Sequence, residues 1–550
     1  MRQNVTDIIK LIRQILVEHN DYYDQARPEL KRYRDVYETR FWDSSRARSQ
    51  EDMIRIETAD CFSYIEGFIA SLFSRNPAVA IGKDPSMIEG NAKMTQEIAN
   101  RFLFDRREQL EIGSRLGLIY FSSYFKLAPQ ESEDMLERVS VRALPCWEVI
   151  TDRDANSWES QRFCGHTYFL SLPEAVARFG NKQFNPIPKE DYFKTLDRTN
   201  TYNGARQTDL PDDYLYIKVV ELYDLAYDGL YFWSPNFDEG RSLLKRESIP
   251  LRTYDDKPII PIVPLYYSRK PERPMEGLSA VSRVYDQFYE KNILRTYWAN
   301  SVRRDSRQYL YREGAFDQEE LAKITSGIDG AMIPVDEQSL EGLIKPIDVV
   351  PISSNFERYQ NQIEEDINRG SILAPFSRGE ATKATATEIT ALAQYSASEI
   401  GKLARERDNA IEGIALVYLR MISLLAEEGE ESTIIVEDVP KIITPEDLDA
   451  KFKIVALDQS STPLSDAIKK NNLVQLIPIL QGLGVPTPKL LSEIVRLYEL
   501  PKDFLEEPPP APAPEQLAAG GGLPPEELQG DIGMSGELPA EQLAQQLGGI

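Results

Sequence analysis

A loop at residues 370–384 combines residue types that bind phosphate with a position just before a predicted helix. Its segment Arg378-Gly379-Glu380-Ala381-Thr382-Lys383-Ala384-Thr385 carries two cations beside glycine and threonine. Backbone amides and the dipole at a helix N-terminus favour anions. The sequence lacks the Gly-x-x-x-x-Gly-Lys-Ser/Thr motif of a P-loop, and no buried strand is predicted directly before the loop. We therefore expect transient contact with phosphate groups here rather than a nucleotide site.

Catalytic chemistry based on histidine is not predicted. The two histidines, His19 and His166, fall in unrelated segments, which leaves no convincing Ser/His/Asp or Cys/His system. The many acidic residues could supply a carboxylate pair for a hydrolase, but their spacing singles out no pair. We expect no catalytic residue and no cofactor, and we expect that the protein is not an enzyme.

Signals for metal binding are weak. The three cysteines lie far apart in the sequence, and we expect buried free thiols rather than a cluster. They are Cys61, Cys146 and Cys164. Asp152, Asp154 and the acidic pair at 437–438 are turn residues, which on an acidic chain we expect to be solvated. The sequence therefore predicts no metal site.

The element that must position the 370–384 loop is a long helix that follows it. Thr385-Ala386-Thr387-Glu388 forms a capping box, in which Thr385 accepts from the N3 amide and Glu388 reaches back to the N-cap amide. Apolar residues then follow one helical face for roughly 40 residues, or about 60 Å. They are Ile389, Leu392, Ile400, Leu403, Ile411, Ile414, Tyr418, Ile422 and Leu425. We expect bends rather than packed side chains at Gly401 and Gly413.

Composition and charge bound the class of protein. The 550 residues suffice for two or three domains with a sizeable core. No apolar run approaches the length that crosses a bilayer, and residues 1–7 lack the apolar region of a signal peptide, so we expect a soluble, cytoplasmic protein. The formal charge of −25 excludes a simple nucleic-acid binder that works by counterion release from phosphates. It suits a surface along which DNA slides without sticking.

Helical and strand-rich stretches follow each other along the chain. Residues 1–130 are predicted to be mainly helical, with apolar faces at 8–16 and 61–72 and a third helix at 96–120. Residues 136–270 are predicted to be strand-rich, because β-branched and aromatic runs alternate with Asp/Gly/Pro/Asn clusters. The predicted strands are 121–127, 139–144, 214–225, 230–233 and 259–267, with return strands at 434–436 and 453–457. The pattern indicates an α+β fold that is mainly helical.

Two further helices frame a small insertion. A helix at 278–303 has a wide apolar face, which is typical of a helix with neighbours on two sides. A return helix at 355–368 is apolar on one face and acidic elsewhere. A solvated surface is the simpler explanation of that helix alone, and a channel wall is the alternative. The roughly 45 residues between the two helices are few for an independent fold, so we expect them to pair with copies of themselves.

The order of these parts resembles the portal (head-to-tail connector) proteins of tailed double-stranded DNA bacteriophages, especially the short-tailed type. A Glu-Gly-Leu-Ser-Ala stretch at 276–280 opens the first of the two helices, and a strand-rich excursion and the return helix follow. Lys-Ala-Thr-Ala-Thr-Glu-Ile at 383–389 then leads from a loop into the long helix. The likeness covers most of residues 1–505.

The resemblance implies the portal fold, with wing, stem, clip and crown regions, assembled as a ring. The implied regions are 1–135 and 136–275 (helical and α+β parts of the wing), 276–304 (stem helix), 305–352 (clip), 353–372 (second stem helix), 373–384 (tunnel loop), 385–464 (long wing helix and return strands), 465–507 (crown) and 508–550 (Pro/Gly-rich C-terminal tail).

The resemblance also implies roles for individual residues. The tunnel-loop residues that face DNA are Pro375, Phe376, Ser377, Arg378 and Lys383. The candidates that line the channel are Glu357, Glu364, Glu365 and Asp366. The clip residues that contact the terminase or the adaptor are Arg307, Tyr309, Tyr311, Arg312 and Glu319.

The function implied by the resemblance is a conduit. The ring, usually of twelve subunits, occupies one capsid vertex of the virion after assembly in the host cytoplasm, and double-stranded DNA is packaged and ejected through it. The implied protein partners are the terminase large subunit, head-tail adaptor and tail proteins, and the major capsid and scaffold proteins, with no membrane. Twelve copies at −25 each carry a formal charge of −300, so the ring needs extensive apolar contacts and counterions.

A non-viral cytoplasmic scaffold or adaptor that acts through the long helix is the alternative. It would explain the helix and the C-terminal tail, but it would leave the strand-rich insertion between two helices without a purpose.

Overall fold

A computed structural model describes the chain between residues 4 and 456, with gaps. The described residues are 4–42, 55–82, 89–188, 215–253, 256–305, 309–311, 317–319, 322, 344–346, 354–370, 386–427, 430–436, 439–444, 448 and 453–456. The chain divides into two compact units, Met1–Ile468 and Lys469–Ile550, and every described residue belongs to the first. The regions predicted at 465–507 and 508–550 therefore lie outside the described residues.

The described residues confirm a mainly helical α+β fold. The helices are α1 (Val5–Tyr37), α2 (Asp60–Leu72), α3 (Glu89–Asp105), α4 (Arg107–Ile119), α5 (Leu172–Phe179), α6 (Tyr285–Asp305), α7 (Ser354–Gly370) and α8 (Ala386–Leu425). The strands are β1 (Val79–Gly82), β2 (Ser123–Pro129), β3 (Val139–Pro145), β4 (Val149–Thr151), β5 (Phe163–Ser171), β6 (Ile187–Pro188), β7 (Leu215–Asp224), β8 (Gly229–Trp233), β9 (Leu243–Glu247), β10 (Ile262–Leu265), β11 (Tyr309–Tyr311), β12 (Ile344–Pro346), β13 (Ser432–Val436), β14 (Val439–Ile443) and β15 (Lys453–Ala456).

Helix α1 begins where a local cap and an apolar face coincide. The Asn4 side chain accepts a hydrogen bond from the Thr6 amide at 3.0 Å, which satisfies a free donor of the first turn. The predicted apolar face is confirmed, because its isoleucines are buried against β4, β7 and β8. They are Ile8, Ile9, Ile12 and Ile15. The C-terminal half of α1 packs instead into the main core with α2 and α4.

The predicted helix at 96–120 is two helices. α3 ends at Asp105 and α4 begins at Arg107, so the prediction of one helix was wrong. Arg106 has a backbone φ of −106° and ψ of 13°, which interrupts the helical run. The break directs α4 onto the edge of β3, where the Gln109 side chain accepts from the Ala143 amide at 3.1 Å. A tertiary contact thus decides a boundary that helix periodicity does not reveal.

Two antiparallel sheets form the strand-rich part. One has the order β4-β5-β7-β8-β9, with β6 also on β7, and the other has the order β10-β2-β3. Strands predicted at 139–144, 214–225 and 230–233 are confirmed as β3, β7 and β8. The strand predicted at 259–267 is shorter, since only Ile262–Leu265 pairs with β2. The strands β4, β5, β6 and β9 and the short helix α5 were not predicted from the sequence.

A separate pairing joins the two ends of the described chain. β1 and β15 are antiparallel neighbours, with Val79 opposite Ala456. Side chains protect the outer edges of this pair: Asn100 accepts from the Val79 amide at 2.7 Å, and Glu412 accepts from the Ala456 amide at 2.8 Å. The predicted return strands at 434–436 and 453–457 are confirmed as β13 and β15, and β13 pairs with the unpredicted β14.

The long helix α8 runs through the main core. It begins at Ala386, one residue after the predicted N-cap Thr385, which lies outside the described residues. Its predicted apolar face is confirmed from residue 400 onward, and the buried members are Ile400, Leu403, Ile411, Ile414, Tyr418 and Ile422. The helix is continuous across Gly401 and Gly413. Gly413 lies against Val263, and an added Cβ would approach Val263 Cγ1 to 2.8 Å, so close packing explains this glycine.

Buried thiols are confirmed at all three cysteines, Cys61, Cys146 and Cys164, which are free and buried. Among the described residues, none of the helices combines the length and apolar character needed to cross a membrane.

Candidate oligomer interface and channel helices

The segment at 276–280 is a packed loop, so the prediction that it opens a helix was wrong. α6 begins only at Tyr285, after a short 3₁₀ turn at Val281–Arg283. The Ser279 hydroxyl donates to the Ile119 carbonyl at 2.6 Å, and the Ala280 amide donates to the Leu118 carbonyl at 2.9 Å. These two bonds satisfy free carbonyls at the C-terminal end of α4. They hold residues 279 and 280 in a loop against α4 rather than in a first turn of α6.

Glu276 anchors the same loop electrostatically. Its carboxylate is buried and accepts from Lys270 Nζ at 2.8 Å and from an Arg273 guanidinium nitrogen at 3.1 Å. The Tyr22 hydroxyl lies 3.3 Å from it. Burial disfavours the charged carboxylate, but the Lys270 and Arg273 hydrogen bonds outweigh it, so the pKa of Glu276 is lowered. The loop therefore fixes where α6 starts.

One side of α6 is held to the segment before α2 by polar contacts. The buried Asn292 side chain accepts from the Thr58 amide at 2.8 Å. The buried Thr296 hydroxyl oxygen accepts from the Ile56 amide at 2.9 Å. Phe288 is buried on the same side. Hydrogen bonds to backbone amides set the register of α6 against its own chain more specifically than apolar packing would.

A second side of α6 receives α7. The apolar face predicted for this helix is confirmed in part: Ile363 and Ile367 are buried, whereas Tyr359 is 47% exposed. Lys291 Nζ lies 3.6 Å from Glu364 Oε1, and the Tyr359 hydroxyl donates to Glu290. These contacts make α6 and α7 a two-helix unit.

The third side of α6 carries exposed apolar residues. Tyr289, Ile293 and Tyr297 are 46%, 37% and 58% exposed, although their spacing places them along one stripe of the helix. Phe41 extends the stripe, since its ring centroid lies 5.0 Å from that of Tyr289. We call Phe41, Tyr289, Ile293 and Tyr297 the aromatic strip. The aromatic strip is therefore a candidate interaction surface.

The acidic residues predicted to line a channel all lie on α7. Glu357 and Glu365 are exposed, and Asp366 is half-buried. Glu364 is half-buried and forms the ion pair with Lys291 described above. The exposed side of α7 carries Glu357 and Glu365 together with one cation, Arg358, so it is net acidic, and we call it the acidic face. The neighbouring exposed side of α6 is apolar.

The structure describes only some of the residues predicted for the clip. Tyr309 and Tyr311 lie in β11, which pairs with β12 so that Tyr309 is opposite Pro346. Glu319 is exposed. Arg307 and Arg312 lie outside the described residues, as do the predicted tunnel-loop residues. The latter are Pro375, Phe376, Ser377, Arg378 and Lys383.

A buried polar cluster between the two sheets was not predicted from the sequence. Lys126 Nζ lies 2.9 Å from Glu221 Oε2 and 3.1 Å from His166 Nδ1. Burial raises the pKa of the Glu221 carboxyl, but the charge of Lys126 and the hydrogen bond from Tyr223 outweigh it and leave the pKa lowered. Burial, followed by nearby cations, puts the pKa of His166 well below its ordinary value. The cluster could have been predicted from the alternation of side chains along β2, β5 and β7. Every second side chain of a strand points to the same face of its sheet, and this places Lys126, His166 and Glu221 on facing sides.

The remaining candidates for chemistry are internal contacts. Asp152 was expected to be solvated, and this was wrong, since it is 2% exposed and accepts two hydrogen bonds from the Arg162 guanidinium at 2.5 and 2.7 Å. Those bonds lower the pKa of Asp152. His19 is buried and donates through Nε2 to the Trp147 carbonyl at 2.9 Å. Burial lowers the pKa of His19 to about 4.

A cleft of about 640 Å³ lies between α1 and the β4–β5 edge. Three arginines line it, Arg153, Arg162 and Arg273, but so do carboxylates. The carboxylates are those of Glu18, Asp152, Asp154 and Asp224. Three guanidinium groups thus face four carboxylates, and this mixture of charges favours no class of ligand. In the described part of the chain, no three His, Cys, Asp or Glu side chains are arranged so that they could hold a metal ion.

Comparison with known proteins identifies no family for this chain. A scan against protein-family models finds no match, and a search of curated proteins finds no significant relative. Any functional assignment therefore depends on the residues and the geometry described above.

Proposed function

We propose that the chain is the subunit of a portal ring, which sits at one capsid vertex of a short-tailed bacteriophage and passes double-stranded DNA during packaging and ejection. The observation that carries the proposal is the two-helix unit of α6 and α7. This unit presents an exposed aromatic strip on one side and an exposed acidic face on another.

The aromatic strip supports assembly from identical subunits. Two chains that each carry −25 repel each other, so a contact between them needs a surface rich in apolar side chains. The strip offers such a surface, and burying the exposed half of each large side chain contributes on the order of 1 kcal/mol. A neighbour on this side would cover the part of the wide apolar face that the chain itself leaves exposed.

The acidic face of α7 supports a passage for nucleic acid. Carboxylates such as Glu357 and Glu365 form no attractive contact with phosphates, so a duplex beside them is not held in place. Each phosphate bound by a cation would have to be released at every step, which would slow the movement of DNA. An acidic wall avoids that brake, and a loop at 373–384 with Arg378 and Lys383 would supply the transient contacts.

The β11–β12 ribbon supports the assignment of the clip. A two-stranded ribbon is marginally stable in isolation. Ribbons from neighbouring subunits would stabilise one another in a ring and form the surface on which the terminase large subunit, and later the head-tail adaptor and tail proteins, dock. The wing, built from α1 to β10, would contact the major capsid and scaffold proteins in the shell.

Native mass spectrometry together with negative-stain microscopy tests the proposal. We expect a single closed oligomer, twelve subunits by the family resemblance, with a central hole wide enough for a duplex. A chain that stays monomeric at high concentration, also in the presence of capsid proteins, would reject the ring and favour the scaffold or adaptor.

A matched pair of variants links the ring to the aromatic strip. Tyr297→Ser removes a ring that is 58% exposed on α6, and Phe104→Ser removes one that is 56% exposed on α3. Both changes should leave the monomer folded, because neither side chain is in the core. We expect Tyr297→Ser to reduce the ring fraction strongly and Phe104→Ser to leave it unchanged. If the two changes reduced the ring fraction equally, ring assembly would not depend on the aromatic strip.

A further inference from the structure

Lys291 connects three helices through one ammonium group. Its Nζ lies 3.1 Å from Asp60 Oδ2 at the start of α2 and 3.6 Å from Glu364 Oε1 on α7, while Lys291 itself is on α6. The lysine side chain is only 13% exposed, whereas the side chains of Asp60 and Glu364 are 34% and 46% exposed. The cation is thus enclosed between two carboxylates at the place where α2, α6 and α7 meet.

The contacts around Lys291 show that the two junctions are unlike. α6 is tied to the segment before α2 by the hydrogen bonds of Asn292 and Thr296. α7 contacts α6 and the core through side chains: Ile363 and Ile367 are buried, the ring centroids of Phe356 and Trp298 lie 6.1 Å apart, and the Tyr359 hydroxyl donates to Glu290. The ion pair of Lys291 with Glu364 is therefore one of the side-chain contacts that hold α7 against α6.

Removal of the ammonium would do more than delete an attraction. Asp60 and Glu364 both lie within contact distance of the same nitrogen, so the two carboxylates would face each other without a cation between them. Like charges at such a separation repel, and their partial burial limits screening by salt.

We propose that Lys291 is a positioning residue, which clasps α7 to α6 and α2 and so fixes the direction in which the acidic face of α7 points. The direction of that face within a ring rests on the proposed function, but the clasp itself is a property of the single chain. The proposal requires that charge, and not the length of the lysine side chain, holds α7.

Hydrogen exchange followed by mass spectrometry measures the clasp peptide by peptide. In Lys291→Met we expect exchange in peptides from Ser354–Gly370 to accelerate about tenfold, with much smaller changes in Val5–Tyr37, because a local opening becomes easier. Lys291→Arg should stay close to the parent protein. Lys10→Met, at an exposed lysine of α1, is the control for loss of one positive charge.

A double variant separates charge from packing. Adding Glu364→Gln to Lys291→Met removes one of the two facing carboxylates, so we expect exchange in α7 to slow again toward the parent rate. A double variant that exchanges as fast as Lys291→Met alone would mean that the lysine stem, not its charge, holds the helix. Unchanged exchange in Lys291→Met would overturn the proposal outright.

Salt provides the same test without a variant. In the parent protein, exchange in α7 should accelerate between low and 1 M salt, since the Debye length falls to about 3 Å. A salt-independent rate would contradict an electrostatic clasp even if Lys291→Met failed to fold. The measurement does not require a ring, so a monomeric chain whose α7 responds as expected would refute the proposed function and leave the clasp standing.

Discussion

Replacement of Gly277 by alanine should destabilise the protein much more than the same change at Gly413 or Gly401. An added Cβ at Gly277 would overlap the carbonyl oxygen of Phe121 and lie 2.6 Å from its carbonyl carbon. At Gly413 the close atom is a side-chain methyl, Val263 Cγ1 at 2.8 Å. Among the described atoms, nothing lies within 4 Å of the Cβ position at Gly401. The three sites thus form a graded series of steric conflict.

The magnitudes follow from what must move. At Gly277 two backbone segments have to separate, which costs about 1–3 kcal/mol for overpacking. The separation also stretches the hydrogen bonds of Ser279 and Ala280 to the end of α4, each worth about 1 kcal/mol. We expect a total loss near 3–5 kcal/mol. At Gly413 a similar overpacking cost is offset by the roughly 1 kcal/mol that alanine gains over glycine in a helix, and at Gly401 only that gain remains.

Urea unfolding followed by circular dichroism checks the order. The midpoint should fall strongly for Gly277→Ala, change little or fall slightly for Gly413→Ala, and rise slightly for Gly401→Ala. The slope of the transition should stay constant, which would show that the denatured state is not the cause. A Gly277→Ala variant as stable as the parent would refute the close packing of the 276–280 loop on α4.

Three further predictions concern buried ionisable groups, and urea midpoints measure each. The pKa of His19 in the folded state is lowered to about 4. Its contribution to the free energy of unfolding should therefore be complete above pH 6.5 and fall as the pH falls, by about 1.4 kcal/mol at pH 5.5. A His19→Gln variant whose stability has the same pH slope as the parent would contradict this. Glu221→Gln should cost about 3–5 kcal/mol, since it leaves Lys126 buried without a countercharge, whereas Glu221→Leu combined with Lys126→Met should recover most of the loss. Asp152→Asn should lower the free energy of unfolding by about 1 kcal/mol at pH 7, a small loss because its partner Arg162 is largely exposed to solvent. The difference from the parent should shrink in acid, since the parent Asp152 then takes up a proton.

Periodicity predicts those parts of the fold that depend on one chain segment at a time. The apolar face of α8 and the isoleucine face of α1 bury as expected, because a helix that has one apolar stripe must turn it toward the core. β-Branched and aromatic runs likewise predict β7 and β8. The acidic and apolar faces of α7 were predictable for the same reason.

Periodicity cannot predict features that depend on contacts between two distant segments of the chain. The 276–280 stretch was predicted to open a helix, but the Ser279 hydroxyl donates to the carbonyl of Ile119, 160 residues earlier in the chain. Asp152 looks like a solvated turn residue until Arg162 folds over it. The exposure of Tyr297 is equally hidden, since sequence predicts an apolar face without saying which part of it the chain itself covers.

The pairing of β1 with β15 has a consequence for biosynthesis. The 370 residues from 83 to 452 must leave the ribosome before β15 can meet β1. At 5–20 residues per second this takes roughly 20–75 s, during which the inner edge of β1 displays unpaired amides and carbonyls. The pairing of β1 therefore waits until Lys453–Ala456 has been synthesised. Slower elongation lengthens the period in which nascent chains on neighbouring ribosomes can associate through that edge.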